Sequence, residues 1–330
     1  LAGQPFQARL TGDASLRGRP MARVTQPLST MGARFDCTEG RLPIAVGGSS
    51  LKGGTFRLRV ASAQVKTALL LAGLRADGEI RIVEPRLSRD HTETMLTAMG
   101  AKIDRERTPS GEHIVTMMGS QYLNAHDFEV PGDISSAAFF IVAATIIPGS
   151  DIRIQGVGLN PTRTGLLDVL SRMGADVTVI DERVSGGERV GTLRVRHADL
   201  VGTTVDGADI PRMIDEIPIL GVAAAFATGQ TTVRDAAELR VKESDRCAQT
   251  VSLVRSMGFD CEELADGFIV DGNPAGLTKA FTHNAGLDHR MAMSAVVAGL
   301  RSQAGVTVRG VNSIRTSFPT FMATLESLYG

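Results

Sequence analysis

Two kinds of helix alternate along the chain, and their hydrophobic patterns distinguish them. One kind is apolar on every side, as in Ala137–Ile147 and Ile217–Ala227, which predicts helices buried among other elements. These stretches have about 11 residues, well short of the roughly 18 to 20 that a membrane span requires. The other kind is amphipathic, with apolar residues spaced along one face.

A Met-Gly phrase recurs where the amphipathic helices are predicted to end. The phrase occurs four times, at Met31-Gly32, Met99-Gly100, Met173-Gly174 and Met257-Gly258. A glycine there supplies the left-handed residue that ends a helix, and a strand-like run follows each phrase. The recurrence predicts a repeated unit with the order β-α-β-α-β-β.

The apolar helix of each unit is predicted to begin near a short polar residue. The four starts are Ser62, Ser135, Asp215 and Asp288. Ser and Asp are favoured N-caps, so capping alone explains their presence. The strands that follow these helices are predicted over residues 79–84, 151–155, 231–234 and 306–311.

These units predict an α/β fold with two similar lobes, because 330 residues exceed what one hydrophobic core usually supports. The turn residues Val130-Pro131-Gly132-Asp133 mark the boundary. Residues 129–330 would form a second lobe of three units, and residues 1–128 a remnant of the first lobe with about one and a half. The half-unit leads us to expect that about 100 residues are missing before Leu1.

Composition narrows the possible functions. Lys and Arg number 35 and Asp and Glu 36, so no global field attracts nucleic acid or an anionic membrane. Aromatic residues make up 4% of the chain, which disfavours stacking on single-stranded nucleic acid. The three cysteines lack zinc or disulfide spacing, which favours a reducing, cytosolic compartment.

Cations and hydrogen-bond donors lie at several predicted helix starts, where helix dipoles attract anions. Ser62 and Gln64 open an apolar helix, and Arg89 lies in the loop before an amphipathic one. Arg19 precedes Pro20, which suits the first position of a helix. For each arginine, the alternative to an anion-binding role is an ordinary solvated side chain on the surface. If these helix ends converge on one cleft, they suit a polyanionic substrate.

Carboxylate side chains lie at two of the predicted helix starts. Asp215 precedes a wholly apolar helix, so partial desolvation makes it a candidate general base. The stretch from Glu238 to Arg246 has six charged residues in nine, and Glu243 and Arg246 are spaced to share a helical face. A salt-bridged helix start explains this cluster equally well.

Other chemistries lack their motifs. Gly47-Gly48 and Gly53-Gly54 fit neither the P-loop nor the GxGxxG pattern, so nucleotide binding is not expected. The chain has no zincin spacing, and no GxSxG sequence supports a serine nucleophile. Acid–base catalysis is the remaining kind of chemistry that these residues suit.

Several short motifs occur along the chain: Gly12-Asp13, Arg19-Pro20-Met21, ASAQVK at 61–66, NPTR at 160–163, LRVKESDR at 239–246, DHRMAM at 288–293 and TSFP at 316–319. In these motifs and in their order, the chain closely resembles the 5-enolpyruvylshikimate-3-phosphate (EPSP) synthase family. The resemblance implies two inside-out α/β lobes of three units each. It also implies transfer of the enolpyruvyl group of phosphoenolpyruvate to the 5-hydroxyl of shikimate 3-phosphate, with release of phosphate and no metal or organic cofactor.

The resemblance also implies roles for individual residues. The shikimate 3-phosphate side of the site would be Ser62, Ala63, Gln64, Arg89, Asp215 and Lys242. The phosphoenolpyruvate side would be Arg19, Gln64, Arg246 and Arg290. Asp215 resembles the base that takes the hydroxyl proton, and Glu243 the group that exchanges a proton with the methylene carbon.

The sequence departs from the family pattern at three places. The residue types at Ala63 and Glu238 resemble those of a bacterial subgroup that includes glyphosate-tolerant members. The family's N-terminal Gly-Asp-Lys-Ser and Asn-Ser-Gly-Thr segments have no counterpart before Leu1, so we expect the chain alone to be weakly active or inactive. The complete protein is expected to be monomeric and cytoplasmic, with small anionic substrates and neither nucleic acid nor membrane as a partner.

Two alternatives stay open. The first is the related enolpyruvyl transferase that acts on UDP-N-acetylglucosamine and has the same fold; RVKESDR and ASAQVK favour shikimate phosphate. The second is a non-catalytic anion-binding fragment.

Overall fold

The computed structural model describes residues 1–328, apart from the side chains of Ala14 and Ser15. The chain divides into two compact units. Unit 1 contains Leu1–Glu129 and Ser185–Glu188, and unit 2 contains Val130–Val184 and the chain from Arg189 onward. The expected boundary after residue 128 thus differs by one residue, and the short segment 185–188 was expected in the second lobe.

Unit 1 holds two small sheets. The first has strand order β1-β3-β2, and its elements are β1 (Ala8–Leu10), α1 (Ala14–Gly18), α2 (Ala22–Thr30), β2 (Arg34–Cys37) and β3 (Ile44–Gly47). The second has order β4-β5-β7-β6, and its elements are β4 (Leu51–Arg57), α3 (Ala63–Gly73), β5 (Ala76–Glu84), α4 (His91–Ala98), β6 (Ile103–Arg107) and β7 (His113–Met118). Only β4 and β5 pair in parallel in this sheet, so a crossover helix joins them and the other pairs are antiparallel.

Unit 2 repeats the same alternation of helices and strands. Its first elements are α5 (Ile134–Ile146), β8 (Asp151–Gly158), α6 (Gly165–Arg172), β9 (Asp176–Ser185) and β10 (Glu188–Arg196). The next are β11 (Thr204–Val205), α7 (Asp209–Met213), α8 (Ile217–Ala225), β12 (Gly229–Val233), a 3₁₀-helix (Ala237–Val241), α9 (Arg246–Ser256), β13 (Asp260–Leu264) and β14 (Gly267–Gly272). The last are β15 (Phe281–Asn284), α10 (His289–Gly299), β16 (Val306–Arg309), a second 3₁₀-helix (Val311–Thr316) and α11 (Phe321–Glu326).

The apolar helices form the core of unit 2. All nine residues of α8 are buried, and α8 packs against α5, α9 and α10. The sheets around them have strand orders β8-β10-β9, β11-β12-β14-β13 and β15-β16. A helix that is apolar on every face needs neighbours all round, so this packing explains the sequence pattern. No helix within residues 1–328 is long and apolar enough to cross a bilayer.

The helix stops predicted from the Met-Gly phrases are confirmed. All four glycines are left-handed: φ is +101° at Gly32, +94° at Gly100, +90° at Gly174 and +91° at Gly258. Each follows the end of an amphipathic helix, where a residue with a Cβ atom would be strained. The short sequence phrase therefore specifies a local backbone conformation.

All four apolar helices begin within two residues of the predicted positions, but the predicted capping residue is correct in two units and wrong in two. Ser62 and Asp288 cap α3 and α10 with their side chains, as predicted. Helix α5 begins one residue before Ser135, because the carboxylate of Asp133 accepts bonds from the amides of residues 135 and 136. Asp215 lies between α7 and α8 rather than at a cap. Helix α7 does not continue into α8, because Pro218 has no N–H group for an i→i−4 bond.

Two other local predictions need correction. Pro20 is not the first helical residue, because α1 ends at Gly18, Met21 is the N-cap of α2, and the amide of Met21 donates to Gly40 O at 2.8 Å. The last predicted strand is two residues too long: β16 ends at Arg309, because Gly310 takes a left-handed φ of +84°.

Candidate active site

The first turn of α3 presents backbone donors in unit 1. Ser62 is its N-cap, with Oγ accepting a bond from Val65 N at 3.4 Å. Ser62 and Ala63 are half-buried, and Gln64 is exposed. Backbone N–H groups at the start of a helix lack helical acceptors, so this turn can donate to an anion.

Two arginines of unit 1 were also predicted to belong to the site. Arg89 is half-buried in the loop between β5 and α4, and it directly follows the buried Ser88. Arg19 is exposed and follows the end of α1, with its backbone N–H bonded to Leu16 O. The two arginines therefore lie on separate loops of unit 1.

A guanidinium lies at the centre of the predicted residues of unit 2. The side chain of Arg246, the first residue of α9, is 1% exposed. Its Nη1 lies 3.3 Å from Asp215 Oδ1, its Nη2 2.7 Å from Glu243 Oε2 and its Nε 2.9 Å from Asp288 Oδ2. One buried cation thus holds three carboxylates from three segments of the chain.

Asp215 also contacts other cations. Its side chain is 18% exposed, which agrees with the partial desolvation predicted for it, and Oδ1 lies 3.6 Å from Lys242 Nζ. Its carbonyl oxygen accepts a bond of 3.0 Å from Arg290 Nη1. Asp215 is therefore held at both its side chain and its backbone, while part of its carboxylate stays accessible.

The pairing of Glu243 with Arg246 arises differently from the prediction. The two residues were expected to share a helical face, but α9 begins at Arg246 and its N-cap is Asp245. The Asp245 side chain accepts a bond from the amide of Ala248, which fixes the helix start after Glu243. Glu243 thus reaches Arg246 from the preceding loop, and its side chain is 32% exposed.

Two buried carboxylates near this cluster differ in their electrostatics. Burial favours the neutral acid of Asp288, but hydrogen bonds from Arg246 and Ser244 hold its pKa below the ordinary value. Burial raises the pKa of Glu216, against the influence of Arg290, whose Nη1 lies 3.5 Å from Glu216 Oε1. Asp288 is thus held as an anion, whereas Glu216 retains its proton more readily.

Several of these contributions were not predicted from the sequence. Asp288 was expected to start a helix, but it also binds Arg246 and Ser244. Glu216, whose Oε1 accepts a bond from Ser135 Oγ, was not among the candidate residues. The sequence does contain a signal for Glu216, which is a charged residue beside an apolar helix. Such a residue needs a polar or charged partner when it is buried.

Within the described part of the chain, no group of three or more His, Cys, Asp or Glu side chains could hold a metal ion. The acidic side chains around Arg246 instead converge on a cation supplied by the chain itself.

Residues 1–325 match the family described as EPSP synthase (3-phosphoshikimate 1-carboxyvinyltransferase). The chain belongs to this family. A protein named 3-phosphoshikimate 1-carboxyvinyltransferase from Desulforudis audaxviator is 52% identical over 330 residues, covering 99% of this chain and 75% of the relative. A protein of the same name from Magnetococcus marinus is 49% identical over 330 residues, covering 99% of this chain and 73% of the relative.

Solved structures agree with the family's fold. A solved structure of EPSP synthase from Acinetobacter baumannii matches with a TM-score of 0.89 and 42% identity, over 99% of this chain and 75% of that one. The enolpyruvyl transferase NikO from Streptomyces tendae matches with a TM-score of 0.74 at 20% identity, which supports the fold alone. The predicted α/β enolpyruvyl transferase fold is confirmed.

The chain therefore spans about three quarters of the length of its EPSP synthase relatives, for instance 75% of the relative from Desulforudis audaxviator. The assignment to a glyphosate-tolerant subgroup stays a prediction. The roles of the individual site residues stay predictions as well.

Proposed function

We propose that this chain carries the 3-phosphoshikimate 1-carboxyvinyltransferase activity for which its relatives are named: transfer of the enolpyruvyl group of phosphoenolpyruvate to the 5-hydroxyl of shikimate 3-phosphate, with release of phosphate. One observation carries the proposal. Asp215 and Glu243 contact the same buried guanidinium, that of Arg246, so two potential proton-transfer groups lie around one cation.

In the proposed reaction, Asp215 takes the proton of the 5-hydroxyl while that oxygen bonds to C2 of phosphoenolpyruvate. Glu243 gives a proton to the methylene carbon, which becomes a methyl group, and a tetrahedral intermediate results. Glu243 then takes a proton back from that methyl group, the bond between C2 and the phosphate oxygen breaks, and phosphate leaves with the proton that Asp215 took from the hydroxyl. The partial exposure of both side chains supports these roles, because a proton-transfer group must reach the substrate.

The cations of unit 2 would balance substrate charge. Lys242 and Arg290 flank Asp215, and Arg246 contacts Glu243 through Nη2. A phosphate or carboxylate group of a substrate can compete with Glu243 for this guanidinium, which would free Glu243 for proton transfer. We assign Lys242 and Asp215 to shikimate 3-phosphate, and Arg246 and Arg290 to phosphoenolpyruvate.

The predicted groups of unit 1 complete the proposal. The start of α3 would bind shikimate 3-phosphate together with Arg89, and Arg19 would bind phosphoenolpyruvate. The α3 residues concerned are Ser62, Ala63 and Gln64, and Gln64 is assigned to both substrates. Backbone donors at a helix start support the assignment, because a phosphate group accepts several such bonds.

Phosphate release from phosphoenolpyruvate tests the proposal. The purified chain should release phosphate when shikimate 3-phosphate is added, and not when UDP-N-acetylglucosamine is added in its place. Release that depends on the UDP sugar would instead favour the alternative transferase, which the names of the relatives do not favour.

Finer properties stay predictions. We also propose a cytoplasmic and monomeric protein, and its Ala63 and Glu238 support membership of the subgroup that includes glyphosate-tolerant members.

A further inference from the structure

Unit 1 contains a buried charged cluster outside the residues assigned to the substrates. It consists of Lys66 on α3, Glu84 at the end of β5 and Glu93 in the first turn of α4. The side chains of Lys66 and Glu84 are 0% exposed and that of Glu93 is 1% exposed. Burying three ionisable groups is costly, so their arrangement calls for a physical explanation.

Three donors converge on the carboxylate of Glu84. Lys66 Nζ donates to Oε1 at 2.9 Å, Ser88 N donates to Oε1 at 3.2 Å, and Ser88 Oγ donates to Oε2 at 2.6 Å. Lys66 Nζ also donates to Ser88 O at 3.3 Å. Ser88 is therefore held through its amide, its hydroxyl and its carbonyl, and every one of these bonds runs to the Lys66–Glu84 pair.

Glu93 differs from Glu84 in its surroundings. Lys66 Nζ lies 2.8 Å from Glu93 Oε1, but neither carboxylate oxygen of Glu93 has a hydrogen-bond partner of good geometry. Burial raises the pKa of Glu93, against the attraction of Lys66. The hydrogen bonds of Lys66 and Ser88 therefore hold the carboxylate of Glu84, whereas burial favours the neutral form of Glu93.

The cluster connects the two segments assigned to shikimate 3-phosphate. Lys66 lies in the first turns of the helix that Ser62 caps, and Ser88 directly precedes Arg89. The neighbouring loop residues Arg86 and Leu87 are exposed, so Ser88 is the buried attachment point of this loop. A fixed Ser88 fixes the backbone from which the Arg89 side chain extends.

We propose that Glu84 is a positioning residue, which holds Arg89 at a set place relative to the start of α3 through its bonds to Ser88 and Lys66, and thereby sets the affinity for shikimate 3-phosphate. The effect on affinity rests on the proposed function; the effect on the loop does not. Glu84 does not touch the substrate in this account.

Glu84→Gln and Glu93→Gln form a matched pair of variants. Gln at position 93 keeps the shape of the neutral form that burial favours and leaves the bonds of Ser88 intact, so it should change little. Gln at position 84 removes the charged acceptor of Ser88, while the carboxylate of Glu93, 2.8 Å from Lys66 Nζ, keeps Lys66 paired, so the fold should survive. Ser88→Ala is a second variant, which removes one bond and leaves all three charges in place.

Hydrogen–deuterium exchange of the ligand-free chain tests the positioning role directly. In Glu84→Gln, the amides of residues 88–90 should exchange about tenfold faster, whereas those of α3 and β5 should keep their protection. Glu93→Gln should match the unmodified chain, and Ser88→Ala should show a smaller acceleration in the same loop. Unchanged loop exchange in Glu84→Gln, or an equal effect of Glu93→Gln, would overturn the proposal.

Calorimetry with shikimate 3-phosphate supplies the functional readout. The dissociation constant should rise about tenfold in Glu84→Gln and stay within about twofold in Glu93→Gln. Loss of protection throughout α3 and β5 in Glu84→Gln would mean a general structural role and would also overturn the proposal. If the unmodified chain does not bind this ligand while the loop exchange changes as expected, the proposed function fails and the positioning role of Glu84 stands.

Discussion

Arg246 Nη1 lies 3.3 Å from Asp215 Oδ1, and the same guanidinium contacts Glu243 and Asp288. Asp215 and Glu243 are partly exposed, whereas Asp288 is fully buried. The same cation therefore serves two purposes: it organises the two groups assigned to proton transfer, and it compensates a carboxylate that has no access to water. Removing it affects both stability and chemistry.

The stability contribution of Arg246 can be measured with Arg246→Met. This change leaves Asp288 buried without its cation, so we expect a loss of about 3 to 5 kcal/mol in the free energy of unfolding. Arg255→Met on the same helix is the control, since Arg255 is exposed and its Nε donates a single bond, to Cys261 O. Urea unfolding should show a loss of about 1 kcal/mol or less for the control. Equal losses in the two variants would contradict this account of Arg246.

The proton-transfer roles predict loss of turnover without loss of fold. Asp215→Asn and Glu243→Gln should each lower kcat by about 10²- to 10⁴-fold, because each removes one acid–base group. Asp260→Asn and Glu262→Gln, both exposed on β13, are the matched controls and should keep kcat within about twofold. Phosphate release and circular dichroism are the measurements. Unchanged turnover in both site variants would defeat the assignment.

Close packing of α8 on α9 predicts that a single methyl group is destabilising. A Cβ atom at Gly221 would lie 2.4 Å from Thr250 Cγ2, so Gly221→Ala should cost about 1 to 3 kcal/mol in thermal or urea unfolding. Thr250→Ser removes that methyl group and keeps a hydroxyl for the bond to Arg246 O, so the double variant should recover much of the loss. Gly18→Ala, which meets no atom within 4 Å, is the control for the added methyl group. A double variant as unstable as Gly221→Ala would argue against this contact.

Acid should destabilise the chain partly through His283. This side chain on β15 is 3% exposed, and burial lowers its pKa below the ordinary 6.5. The folded state therefore takes up a proton less readily than the unfolded state: the contribution of His283 to stability is complete above pH 6.5 and is lost as the pH falls through the folded pKa. Burial lowers the pKa of His113 and His289 in the same direction.

His283→Gln tests this assignment. Between about pH 7.5 and about pH 5.5, the variant should lose less unfolding free energy than the unmodified chain, because only the other two histidines still oppose protonation. Glu93 and Glu216 have raised pKa values and act in the opposite sense, but they are common to both proteins. Urea unfolding at the two pH values is the measurement, and identical pH dependence in both proteins would show that His283 plays no part.

The sequence predicted those parts of the fold that depend on neighbouring residues. The glycine at each helix stop and the Ser62 cap are local, so a short motif is enough to specify them. The short helix α7 was not predicted, whereas the start of α8 was expected near Asp215 and lies two residues later, beside Pro218.

In the candidate site, too, contacts between neighbouring residues were predicted and contacts between distant residues were not. Glu243 and Arg246 lie within one motif, and their pairing was expected even though the helix begins later than predicted. Asp288 meets Arg246 across 42 residues of sequence, and Glu84 meets Lys66 across 18. Ion pairs between residues so far apart in the sequence depend on how the helices and strands pack. Hydrophobic periodicity and composition do not specify that packing.

Calorimetric titration of the chain with shikimate 3-phosphate at low salt, with UDP-N-acetylglucosamine as the control ligand, decides whether the site binds the proposed substrate. Low salt limits the screening of the charged groups. We expect saturable binding of shikimate 3-phosphate and no binding of the UDP sugar. Lys242→Met, which removes a cation beside Asp215, should reduce the affinity for shikimate 3-phosphate. Binding of the UDP sugar in preference to shikimate 3-phosphate, or no binding of either ligand, would contradict the proposed function.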